Sequence, residues 1–329
     1  MYERTFDYLI GEYMIYCRSR KLREKTMASY EQTLRLFERW CKDEMSICEV
    51  DKITVNVVRR YITSLQERGK YTFYAVEEAK ATNTPERRRD FRTPISDTTI
   101  NNYIRNLKAF FSWLDDDDII VKNPMEKIRQ IKNNRKPKEF LNDDDFGRLV
   151  RNLDKSYFSE HRDYAIIMLL MDSGMRLGEC TMLCVEDISL NKRQIFLKAD
   201  NTKGRKDRTV FFSGKTEKIL RRWLQFKDRY VESEYLFPTT YGNPIQIGSF
   251  ETNFRHYLQR AGIREDITPH SLRNNFAKRC LLNGMDIYTL SRILGHSSVS
   301  VTEEAYLDLT DEDLGKRYQC FSPLSTMRR

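Results

Sequence analysis

The chain has 329 residues, 40% hydrophobic and 32% charged, with 57 Lys and Arg against 48 Asp and Glu for a formal net charge of +9. That length predicts two domains with ordinary cores, and the basic excess fits a polyanionic partner, nucleic acid or anionic membrane, as well as a merely solvated surface. The longest apolar run, Ala165 to Met171, is far short of the roughly 18–20 residues of a membrane span, and seven cysteines without a Cys-x-x-Cys pair argue against both a disulfide framework and a zinc knuckle.

Glu3, Arg4 and Asp7 stand where a signal peptide needs apolar residues, so the expected setting is cytoplasmic and reducing, with no membrane association. Cys180 and Cys184 are spaced for one helical face, but small buried thiols explain them better than a ligand pair does. The first third reads as helices. Phe6 to Cys17, Thr26 to Trp40, Val55 to Leu65 and Thr98 to Leu114 carry apolar residues at three- and four-residue spacing. The last is capped in this reading by Asp97. Between the third and fourth helices runs a long polar stretch, Glu67 to Ser96, which contains Pro85, Arg87, Arg88, Arg89 and Pro94. A connection of that length is usually functional or disordered.

Asn123-Pro124 is expected to open one more short helix. Lys132 to Lys138 has no apolar residue and reads as a basic interdomain linker. The predicted organisation is a helical domain over 1–131, a linker over 132–139 and a second domain over 140–329.

The second domain opens on Asn142 as a helix cap, with Asp143, Asp144 and Asp145 in the first turn. There they suit the helix dipole, so they are not read as metal ligands. An apolar helix ending at Gly174 follows. Arg193 to Ala199 and Arg208 to Phe212 are predicted as two strands around a polar turn, and helices continue to the C-terminus. The fold class is therefore mainly α with one small antiparallel sheet.

Thr268-Pro-His-Ser-Leu-Arg-Asn-Asn-Phe-Ala-Lys-Arg-Cys-Leu-Leu-Asn-Gly284 reads as a helix with Thr268 as cap, Pro269 at the first position and Asn283-Gly284 as stop. Leu272, Phe276, Ala277, Cys280 and Leu281 form its inward face, with Ser271, Asn274, Asn275 and Lys278 opposite. His270 and Arg273 fall on the apolar side. A guanidinium there needs an anion, because burying it unpaired is very costly. A structural salt bridge satisfies that need, and so does a phosphate at the helix N-terminus.

Arg176 follows the apolar helix at a turn, where a side chain can be aimed into a cleft, and Glu179 is three residues on. A surface ion pair is the plainer reading of the two. Lys203 sits in the turn between the strands, a common place for a basic residue. His296 and Tyr306 lie in Leu294-Gly-His-Ser-Ser-Val-Ser-Val-Thr-Glu-Glu-Ala-Tyr306. With 18 tyrosines in the chain, position alone does not single out that one.

Taken in order, Arg, Lys, His-x-x-Arg, His and Tyr resemble the catalytic signature of the tyrosine recombinase, or phage integrase, family. The resemblance spans about Phe140 to Tyr318, and it is most specific in Pro269-His-Ser-Leu-Arg273 and Leu294-Gly-His-Ser-Ser298. It implies a catalytic set of Arg176, Lys203, His270, Arg273, His296 and Tyr306, with Glu179 in support. It also implies an N-terminal core-binding domain and a simple two-domain plan like Xer-type or transposon-encoded integrases. His296 and Tyr306 are one residue further apart than is common in the family, and the Glu67 to Ser96 stretch is longer.

The activity implied is site-specific recombination. Tyr306 attacks a phosphodiester of a double-stranded target site, storing the bond as a 3′-phosphotyrosine, so no ATP is needed, and strands pass through a Holliday junction. Arg176 and Arg273 hold the non-bridging oxygens, Lys203 protonates the leaving 5′-oxygen, and His270 and His296 assist. No cofactor or metal is expected. A homo-tetramer on DNA is implied, held by exchange of a tail helix that opens at Thr310. Integration or excision of a mobile element and chromosome-dimer resolution both remain open. A type IB topoisomerase uses the same chemistry without strand exchange, and a silent DNA-binding regulator would lack a catalytic residue. Ser213-Gly-Lys-Thr216 resembles the end of a P-loop, but Thr209 occupies the required upstream glycine position.

Overall fold

The computed structural model describes residues 5–75, 84–132, 140–199, 206–264, 266–296, 298–300, 302–303 and 311–322. The chain divides into two compact units, Met1–Arg135 and Lys136–Arg329. Among the described residues no helix is long and apolar enough to cross a membrane.

The first unit is built on helices α1 (Phe6–Ser19), α2 (Glu24–Met45), α3 (Val55–Glu67) and α4 (Asp97–Asp116). Their apolar stripes meet in an aromatic-rich core. The Phe37 ring lies 4.8 Å from Tyr61 and 5.6 Å, edge-on, from Phe6, spacings at which ring pairs attract beyond simple burial. Two buried asparagines fix the packing. Asn106 donates to the Ser29 carbonyl at 3.1 Å and to Thr33 Oγ1 at 2.9 Å, tying α4 to α2. Asn101 clasps Ile131 at both its N–H and its carbonyl, satisfying backbone groups that burial would otherwise leave costly.

All four helices predicted here are present, with two local corrections. Ser96, not Asp97, caps α4, accepting from the Thr99 N–H at 3.3 Å. Asn123-Pro124 opens a turn rather than a helix, because the Asn123 side chain accepts the Met125 N–H two residues on, a local bond that competes with helix formation. Of the predicted linker, residues 133–139 lie outside the described residues.

The second unit contains α5 (Asp143–Arg151), α6 (Phe158–Ser173), α7 (Leu177–Thr181), strands β1 (Ile188–Ser189), β2 (Gln194–Leu197) and β3 (Arg208–Phe211), then α8 (Gly214–Lys227), α9 (Ile247–Arg260), α10 (Pro269–Leu282), α11 (Ile287–Leu294) and α12 (Asp311–Phe321). Asn142 caps α5 as predicted, accepting from the Asp145 N–H at 2.7 Å. The predicted hairpin is there, with Ile195 opposite Val210 and Leu197 opposite Arg208, and β1 adds a third strand in the order β1-β2-β3. α6 is the central helix. Its buried Asp163 accepts from Arg162, Asn253 and Tyr257, which joins it to α9.

α10 begins at Pro269 with the Thr268 N–H donating to Ser271 Oγ at 3.1 Å, and it packs along α6 on one side and α11 on another. Burial on two sides corrects the expected polar face. Ser271 and Asn275 are buried, and Asn275 is satisfied by the Ser271 carbonyl at 2.9 Å. α12 lies where a tail helix was expected, although Thr310 falls outside the described residues. Its Asp313 pairs with Lys278 of α10 at 2.6 Å, while Leu314 and Tyr318 are exposed.

Candidate active site

The site forms where the end of α6, the start of α10, the end of α11 and the first residue of β3 converge. Gly174 ends α6 in the left-handed region, with φ of 64° and its N–H on the Leu170 carbonyl. A β-carbon there would lie 2.2 Å from the Phe276 ring, so only glycine lets α6 and α10 approach this closely. That approach delivers the Gly174 carbonyl to Arg273 Nη1 at 2.6 Å. Arg273 Nη2 donates to the Leu294 carbonyl at 2.8 Å and to His296 Nε2 at 2.9 Å.

Arg273 is 4% exposed, and these three partners are all neutral. Its pKa is pushed down to about 9, by burial first and then by the charge of Arg176, with Glu179 pulling the other way. At neutral pH it remains a cation. Because a guanidinium can only donate, His296 Nε2 must be the acceptor, and the proton is assigned to Nδ1. Nδ1–H then donates to the buried Thr302 hydroxyl at 2.7 Å.

Arg176 caps α7. Its N–H donates to Glu179 Oε2 at 2.9 Å, its Nη1 to Glu179 Oε1 at 3.0 Å and its Nη2 to the Gly295 carbonyl at 3.3 Å. Glu179 is 3% exposed and the Arg176 side chain 27%, so this is a half-buried pair and not the surface pair considered from sequence. Burial by itself would raise the Glu179 carboxyl, but hydrogen bonds from Arg208 and the Arg176 backbone outweigh it and hold the group below its ordinary value.

Arg208 is the member that the sequence reading missed. It grips Glu179 with both ends of its fork, Nη1 to Oε1 at 2.9 Å and Nη2 to Oε2 at 2.5 Å. A signal existed: two-residue alternation puts Arg208 on the same strand face as Val210 and Phe212, both buried. Thr302 was also missed, and nothing in its sequence context marks it.

The structure thus brings Arg176, Glu179, Arg273 and His296 together. His270, in the first turn of α10, has an exposed side chain; the expectation that it shares the apolar face is corrected, because the turn buries Pro269, Ser271 and Leu272 and leaves only the direction of His270 open. Lys203 and Tyr306 lie outside the described residues. Three guanidiniums around one carboxylate leave a formal surplus of two positive charges. Such a surplus in a low-dielectric pocket favours an anion, and favours one more strongly as it gains charge. Among the described residues no group of His, Cys, Asp and Glu is placed to hold a metal ion.

Residues 139–313 match the model of the phage integrase family, and residues 10–83 match the phage integrase N-terminal SAM-like domain. The tyrosine recombinase XerC of Pediococcus pentosaceus is 26% identical over 317 residues, 93% of this chain and 95% of that one. The solved XerA recombinase is 25% identical, covering 97% of this chain and 99% of its own, with a TM-score of 0.50. The Tn1549 transposon integrase, solved in complex with a circular intermediate DNA, shares the fold at a TM-score of 0.71, with 18% identity over 97% of this chain and 100% of that one.

Proposed function

Because the chain belongs to the phage integrase family, and is a tyrosine recombinase that acts on DNA in site-specific recombination, we propose that Arg176 and Arg273 are the cations that hold its scissile phosphate. The observation that carries this reading is Arg273 itself, buried among neutral acceptors beside a second guanidinium. A phosphodiester brings the missing negative charge. Attack by a phenolate adds another, which the surplus positive charge stabilises more in the transition state than in the ground state.

In the proposed reaction the Tyr306 oxygen forms a bond to phosphorus and the bond to the 5′-oxygen breaks. Lys203 gives a proton to that leaving oxygen, and His270, exposed at the start of α10, takes the phenol proton. His296, its Nδ1–H committed to Thr302, keeps Nε2 against Arg273 and orients the guanidinium. The incoming 5′-hydroxyl of a partner strand reverses the step. The first unit serves as the core-binding domain, and four protomers assemble on paired target sites. The exposed Leu314 and Tyr318 on α12 support the exchange of that helix between protomers. The biological role is integration or excision of a mobile element, or resolution of chromosome dimers.

Tyr306→Phe tests the reading. On a nicked target site the variant should bind as wild type yet form no adduct on a denaturing gel. An adduct in that variant removes Tyr306 from its role, and plasmid relaxation without strand exchange by the wild type makes the enzyme a topoisomerase instead.

A further inference from the structure

We propose that Arg208 is a positioning residue for strand cleavage: through Glu179 it keeps the Arg176 guanidinium turned toward the phosphate. The inference rests on the reading of Arg176 as a phosphate ligand. A carboxylate offers about four lone-pair sites. On Glu179 the Arg208 fork takes one site on each oxygen, and Arg176 takes the other two, one through Nη1 on Oε1 and one through its backbone N–H on Oε2. Glu179 is therefore saturated.

That saturation decides where Arg176 points. Left alone with a carboxylate three residues away, a guanidinium prefers the bidentate arrangement, both nitrogens on both oxygens. Here Arg208 occupies the place on Oε2 that Arg176 Nη2 would take. Nη2 instead turns away to the Gly295 carbonyl at 3.3 Å, a long contact with a neutral acceptor that a phosphate oxygen can displace. Arg208 thus spares one Arg176 nitrogen for the substrate.

The surroundings show how tightly Arg208 is held. Its Nε is buried without a hydrogen-bond partner, a donor given up to seat the fork on Glu179. The backbone of Gly295 passes directly over it, and a β-carbon there would lie 2.8 Å from Arg208 Cδ and Nε. A residue whose only task was to neutralise Glu179 would be redundant, since Arg176 already does so.

The test uses the full chain and a nicked target site, reading DNA affinity by gel shift and single-turnover adduct formation. Arg208→Met should leave affinity within about twofold of wild type and slow cleavage by about tenfold or more. Arg208→Lys, which keeps the charge and occupies part of the site, should recover several-fold of that loss. Adding Glu179→Gln to Arg208→Met should speed cleavage relative to Arg208→Met, because the charge that draws Arg176 aside is gone. If Arg208→Met fails to fold, the comparison moves to the Glu179→Gln background, where removing Arg208 should change cleavage less than about threefold. Wild-type cleavage by Arg208→Met, no gain in the double variant over the single, or a full loss in the Glu179→Gln background each overturns the proposal. Arg176→Ala is the separate control. Unimpaired cleavage there removes the phosphate reading itself, whatever Arg208 does.

Discussion

Gly174→Ala puts the closest approach in the catalytic unit under load, and the structure gives the magnitude. The residue sits at φ of 64°, where an L side chain costs roughly 1–2 kcal/mol. Its new β-carbon would lie 2.2, 2.7 and 2.9 Å from three atoms of the Phe276 ring, on a helix that packs along α6. Overpacking of that kind costs about 1–3 kcal/mol more. The total, about 2–5 kcal/mol, corresponds to a melting temperature lower by roughly 4–20 °C for a unit of this size. The ring must move, and with it the Gly174 carbonyl loses its 2.6 Å hold on Arg273, so cleavage should fall further than the loss of folded protein explains. Thermal melting followed by circular dichroism measures the first effect, and single-turnover cleavage well below the transition measures the second. Gly174→Ala/Phe276→Leu should recover about half the lost stability, because it relieves the clash and leaves the backbone cost. A single variant that melts within about 2 °C of wild type refutes the packing argument.

Glu179→Gln should lower stability at pH 7 by about 2–4 kcal/mol, since a buried carboxylate facing two guanidiniums is replaced by a neutral acceptor. The wild-type group is held below its ordinary value of 4.5, so the contribution is fully present above that pH and is lost as pH falls through the folded value. The gap in melting temperature between the two proteins should therefore close in acid, and a gap that widens there counts against the assignment. Lys203→Ala should be rescued by a 5′-bridging sulfur at the scissile phosphate, which leaves without a proton, in buffer containing EDTA; rescue of Lys206→Ala instead would move the general acid to Lys206. Truncation after Leu309 should leave single-site binding nearly intact in a gel shift while abolishing tetramers in sedimentation with DNA, and tetramers that persist at the wild-type level would keep α12 on its own protomer, where Asp313 already meets Lys278.

The periodic elements were legible because their signals are local. The four helices of the first unit, the hairpin and α10 each repeat apolar residues at the spacing of the element they form, and Asn142 and Pro269 mark starts by their own chemistry. Errors fell where two local options compete. Asn123 satisfies the Met125 N–H and makes a turn, and Ser96 outcompetes Asp97 for the cap of α4. Amphipathic reasoning failed on α10 because it assumes a solvent face, and a helix packed on two sides buries polar residues such as Asn275 that its own backbone then satisfies.

By itself the sequence determined the mainly helical class, the hairpin and the order of residues that marks the family, since each depends on neighbours along the chain. Tertiary structure alone decided that Arg208 completes the Glu179 cluster, that Arg273 sets the His296 tautomer, and that Arg273 spends its other hydrogen bonds on the Gly174 and Leu294 carbonyls. Those contacts join β3 to α7, and α10 to the ends of α6 and α11, between residues 21 to 99 positions apart, and a buried charge takes its partner from whatever the packing brings within reach, which no local spacing encodes.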